Sequence, residues 1–99
     1  MALYLVVHTP REEDAERVLA PTRMGDLARE AGTAGALPCW LKTWSPDLHD
    51  DRIFSLWEAE DAAEITAALA RFGYLDHMAA QPLRVQEWGP ADVLAAESQ

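Results

Sequence analysis

Residues 38 to 58 read PCWLKTWSPDLHDDRIFSLWE, in which two runs rich in bulky and β-branched side chains flank seven turn-forming residues, SPDLHDD. Two strands joined by so short a loop must lie antiparallel and side by side, which limits the fold more than any other stretch does. The strands are placed at 37–45 and 52–59. With the turn centred between Leu48 and His49, Trp44 faces Ile53, Lys42 faces Ser55 and Trp40 faces Trp57. His49, Asp50 and Asp51 at the tip have metal-ligating chemistry. Three consecutive residues cannot all aim at one ion, however, and a hairpin tip is ordinarily just solvated.

The rest of the chain arranges itself around this hairpin. ALYLVVH is a strand over 2–8. Thr9, Pro10 and Glu12 then give the cap, first helical position and capping box of a helix predicted over 10–19. Pro21 cannot continue that helix, so it splits there and a second segment runs over 21–31, with Met24, Leu27, Ala28 and Ala31 on one apolar stripe. Asp61 caps a further helix with Ile65, Leu69 and Phe72 on its buried face and Gly73 as its stop. The last strand is predicted over 83–88 and a partly helical tail follows over 91–99. The order is β-α-β-β-α-β, the split βαβ or ferredoxin-like layout of the α+β class. It implies one domain over residues 1–99, with a four-stranded antiparallel sheet in the order 4-1-3-2 and helices on one face.

Composition narrows the partners. Eight basic residues against seventeen acidic ones leave a net charge of −9, which repels phosphate backbones and makes nucleic acid a poor partner. A single cysteine, Cys39, allows no disulfide within the chain and suits a reducing compartment. The apolar run at the start is too short for a signal peptide or a membrane span. A cytoplasmic protein with no membrane contact is expected.

Strand residues two apart share a face. Placing Leu3, Leu5, Val7, Leu41, Phe54, Leu56, Leu83 and Val85 against the helices turns Tyr4, His8, Trp40, Lys42, Trp44, Ser55, Trp57, Arg84, Gln86 and Trp88 onto the open face. An apolar patch of that kind needs a cover, and the simplest is a second copy packed sheet to sheet as a two-fold homodimer. Taking the first and third strands as parallel puts His8 level with Trp57, and Arg84 is expected at the same end. Tyr4, His8, Trp40, Lys42, Trp44, Ser55, Trp57, Arg84 and Trp88 then line a pocket for a small hydrophobic or aromatic molecule. The plainer alternative is interface packing of the tryptophans, with His8 as a satisfied interface histidine.

The strand-then-helix segment RIFSLWEAEDAAEI (52–65) and the first strand ending VVHT resemble a family of small uncharacterised bacterial proteins in the dimeric α+β barrel superfamily. The resemblance implies paired ferredoxin-like sheets with a ligand pocket between them. It also implies two further functions: a cofactor-independent monooxygenase or isomerase, with His8 as general base and Arg84 holding the substrate anion, and a nickel-type metal-binding protein. The family pattern has a cysteine where this chain has Ser55 and a histidine where it has Leu69. His8 and His77 are the remaining candidate ligands, and two histidines do not close a metal shell. No metal and no cofactor is expected.

Overall fold

A computed structural model of the chain describes residues 1–10, 23–46, 52–76 and 78–98. Its elements are β1 (Ala2–Pro10), α1 (Met24–Ala31), β2 (Cys39–Trp44), β3 (Ile53–Ala59), α2 (Ala62–Arg71), a 3₁₀ turn (Tyr74–Asp76), β4 (Met78–Val85) and α3 (Pro90–Glu97). The strands form one antiparallel sheet in the order β2-β3-β1-β4. The class is α+β, and the strand order is the expected one.

Several boundaries move. β1 runs on through Pro10, opposite Met78, where a helix was expected to begin. The remainder of that helix, the hairpin tip at 47–51 and His77 lie outside the described residues. β4 starts at Met78 rather than at 83 and ends at Val85. Pro82 sits within it opposite Val6. Proline is tolerated there because β4 is an edge strand, where one side of the backbone needs no ladder partner.

α2 follows its sequence signals closely. Asp61 accepts a hydrogen bond from the Glu64 backbone N–H at 2.9 Å, and the Glu64 carboxylate accepts from the Glu60 N–H at 3.1 Å, which satisfies two donors at the helix start. Ile65, Ala68, Leu69 and Phe72 are buried at helical spacing. Gly73, at φ 73°, then takes the left-handed turn that ends the helix.

The two faces of the sheet are the reverse of the expectation. Tyr4, Val6, His8, Ser55, Trp57 and Ala59 are the buried residues of β1 and β3, and Tyr4, Val6, Trp57 and Ala59 share a core cluster with Leu27 and Ala31 of α1 and Ile65 and Leu69 of α2. Leu3, Leu5, Val7, Phe54 and Leu56 take the opposite, open face. The cause is visible in β1, whose two alternating sets, Leu3-Leu5-Val7 and Tyr4-Val6-His8, are both mostly apolar. Alternation fixes which residues share a face, but without a polar set it does not say which face is covered.

The tryptophans divide between the two sides. A register shift between Trp40 and Lys42 breaks the alternation of β2, as a bulge does. Trp40 stays opposite Trp57 on the helix side, whereas Lys42 falls opposite Leu56 and Trp44 opposite Phe54, both on the open face. Trp88 lies beyond the end of β4 and is 71% exposed. A single face carrying all four indoles is therefore not what the chain builds.

Candidate functional site

β1 and β3 run antiparallel, so His8 is level with Ile53 and Tyr4 with Trp57, not His8 with Trp57 as expected. His8 instead reaches diagonally to Ser55, with Nε2 and the Ser55 Oγ 2.7 Å apart. The same oxygen accepts a hydrogen bond from the Trp57 indole N–H at 2.8 Å. All three side chains are almost wholly buried, with exposures of 2% for His8, 3% for Ser55 and 1% for Trp57. Burying a hydroxyl or an imidazole without partners costs about 1–3 kcal/mol each; here each supplies the other's bond.

These residues form one wall of a cavity of about 200 Å³ between the sheet and the helices. Met24 and Leu27 of α1, Leu69 of α2 and Tyr74 of the 3₁₀ turn complete it, with Trp40, Thr43, Ser45 and Ile53 at the hairpin side. Trp40 stacks on Trp57 at 6.2 Å between ring centroids and 15° between planes, and its N–H donates to the Thr43 hydroxyl at 2.7 Å. Thr43 and Ser45 are exposed while His8, Leu27, Ser55, Trp57 and Leu69 are buried, so the mouth opens beside the hairpin and the floor lies at the sheet.

One polar atom of His8 stands out. His8 Nδ1 is buried and has no hydrogen-bond partner among the described residues. Burial also lowers the His8 pKa from 6.5 to about 4, so the ring is neutral at physiological pH. The Tyr74 ring packs on the imidazole at 4.9 Å, and burial raises the Tyr74 pKa, so its hydroxyl keeps its proton.

Of the residues expected to make the site, His8, Trp40, Ser55 and Trp57 come together. Tyr4 is buried in the core beside them, outside the cavity lining. Lys42 and Trp44 pair with each other on the open face, with the ammonium 5.9 Å from the ring centre. Arg84 lies opposite Tyr4, four residues along β1 from His8 and so about 13 Å away at about 3.3 Å per residue. It lines a separate groove with Met1–Leu3 and Trp88. The pocket therefore lies beneath the helices, not on the open sheet face, and Arg84 does not share an end with His8.

Met24, Leu27 and Leu69 were legible as buried helix stripes, but nothing in their spacing marks a cavity. Tyr74 carried no signal of its own beyond following the Gly73 stop. Among the described residues no three His, Cys, Asp or Glu side chains gather as a metal would need, and the Ser55 oxygen is already committed to His8 and Trp57. No helix among the described residues is long and apolar enough to cross a membrane. Set against known proteins, the chain matches no family model and no curated protein.

Proposed function

We propose that this chain is a small-molecule-binding protein whose ligand occupies the cavity between the helices and the sheet. The observation that carries this reading is the cavity of about 200 Å³ itself, walled mainly by apolar side chains and by the hydrogen-bonded group of His8, Ser55 and Trp57. A bound molecule fills the space. The enzyme alternative gains less support. A histidine with its pKa near 4 is a feeble base at neutral pH, and Arg84 sits too far off to hold an anion beside it.

The element order supports a ferredoxin-like description of the fold, and the open face supports a homodimer. Leu3, Leu5, Val7, Trp44, Phe54, Leu56, Leu83 and Val85 span all four strands there, with Lys42 and Glu58 as the charged strand residues among them. Leu83 and Trp44 are 43% and 47% exposed. A mainly apolar surface with one strand charge of each sign, on a chain of net charge −9, can face its own copy, as a two-fold interface must. We place the dimer in the cytoplasm, where Cys39 stays reduced.

The binding reading is tested by titrating the protein with ethylbenzene and following tryptophan emission. Trp40 and Trp57 line the cavity, so saturable quenching is expected. Replacing the half-buried wall residue in Ile53→Trp fills the space and should abolish the saturable component. Quenching that is linear in concentration, or unaffected by the filling variant, would place the ligand elsewhere.

A further inference from the structure

We infer that α3 is an exchanged arm: in the homodimer, α3 of each copy packs against β2 of the other, over the part of the open face that sheet-to-sheet contact leaves bare. The inference rests on the homodimer reading and adds which element of the second copy completes the cover.

α3 is a helix with nothing packed against it. Its start is well built, with Pro90 in the first turn. The Gly89 N–H donates to the Asp92 carboxylate at 2.7 Å, and the Asp92 N–H donates back to the Gly89 carbonyl at 3.0 Å. Yet every residue from Pro90 to Ser98 is exposed, and none is buried against its own chain. Leu94, its largest apolar side chain, is 62% exposed. Helices shorter than about 12–15 residues are marginal in water unless a face is packed, and this one has eight residues. Local signals begin the helix; a surface is needed to hold it.

The sheet face, for its part, is small for a stable pairing. β3, at seven residues, is about 23 Å long, and four strands are about 19 Å across, which gives about 440 Å² of flat area. A stable interface buries about 800 Å² of accessible surface on each partner. Twisted sheets stacked face to face also cross at about 30°, so their corners do not overlap. A helix of this length is about 12 Å long and about 10 Å wide, which adds about 120 Å² for the arm each copy gives and as much again for the arm it receives.

Reach and symmetry choose the landing site. A two-fold axis parallel to the strands exchanges the two edges of the sheet, which sets β4 of one copy over β2 of the other. The arm leaves the end of β4 at Val85 on a spacer over residues 86–89. Four extended residues reach about 13 Å, and stacked sheets lie about 10 Å apart. The spacer therefore spans the gap. β2 is also the strand most in need of cover, since Leu41 to Trp44 are all exposed. Leu94 and Val93 meet Trp44 there.

Mixed-chain paramagnetic relaxation tests this. An unlabelled full chain carrying Cys39→Ser and a nitroxide at Ser98→Cys is mixed with ¹⁵N-labelled wild-type chain, with dimer formation followed by sedimentation. Amide signals of Leu41–Trp44 in the labelled chain should broaden, and more strongly than those of α2 on the far side of the sheet. Leu94→Glu, at an exposed site that leaves the fold intact, should remove that broadening and raise the dimer Kd about tenfold or more, since two buried leucines are lost per dimer. A dimer in which β2 of the labelled chain is not broadened, or whose Kd is unchanged by Leu94→Glu, would overturn the arm and leave sheet pairing in place. Broadening of β2 only when label and ¹⁵N share one chain would also overturn it, by placing the arm on its own sheet. A wild-type chain that stays monomeric would overturn the pairing and the arm together.

Discussion

Trp57 donates its indole N–H to the hydroxyl of Ser55, two residues back on the same strand face, at 2.8 Å. The bond joins the largest fully buried side chain to a buried polar residue of the sheet. An indole buries roughly 150–250 Å² of surface, worth roughly 4–6 kcal/mol at about 25 cal/mol per Å². That gain is realised only if the N–H finds an acceptor away from water, and Ser55 is that acceptor.

Removing the hydroxyl should therefore cost more than its size suggests. Ser55→Ala strands the Trp57 N–H and frees His8 Nε2, with an expected loss of about 1–3 kcal/mol. Chemical denaturation followed by far-UV circular dichroism measures it. A change below about 0.5 kcal/mol would mean that the network contributes nothing to stability.

His8 makes stability depend on pH with a defined sign. Its folded pKa of about 4 lies below the ordinary 6.5, so between those values the unfolded chain holds a proton that the folded chain does not. Unfolding is then favoured as pH falls: stability is intact above about pH 6.5 and declines towards pH 4, by at most about 3.4 kcal/mol at about 1.36 kcal/mol per unit. Denaturation midpoints at pH 7.5 and 4.5 should diverge more for the wild-type chain than for His8→Gln. Equal divergence would show that His8 titrates normally.

The division of the tryptophans gives a graded series. Trp57→Ala, at a site only 1% exposed, should cost about 3–5 kcal/mol. Trp88→Ala, at 71% exposure, should stay within about 0.5 kcal/mol. Comparable costs at both positions would contradict the faces described above.

Leu83 reports on the open face. Its half-exposed position on edge strand β4 lets Leu83→Glu fold as the wild type does while placing a charge in the proposed interface. Sedimentation velocity should show a dimer for the wild type and a monomer for the variant. A wild-type monomer at micromolar concentrations would remove the case for pairing.

Much of the architecture was legible in the sequence because its signals were local. Asp61 and Gly73 mark the ends of α2, its 3.6-residue stripe marks the buried face, and the turn residues mark the hairpin. Trp40 and Trp57 were correctly set opposite each other. What failed was non-local. Both faces of β1 are apolar, so only the helices decide which is covered, and they chose the face holding His8 and Ser55. Those polar residues were set on the open face, yet each is the other's hydrogen-bond partner beneath the helices, which no single-strand pattern reveals. The bulge after Trp40, which sends Trp44 to the far side, has no marker such as glycine. Pro82 reads as a strand breaker until its strand is known to be at the edge.

The tautomer of His8 is the most direct test of how this site is built. Long-range ¹H–¹⁵N spectra of the imidazole at pH 7 report which nitrogen carries the proton. The account expects a neutral ring protonated at Nδ1, with Nε2 accepting from the Ser55 hydroxyl, whose oxygen already accepts from the Trp57 N–H. A ring protonated at Nε2 would contradict it.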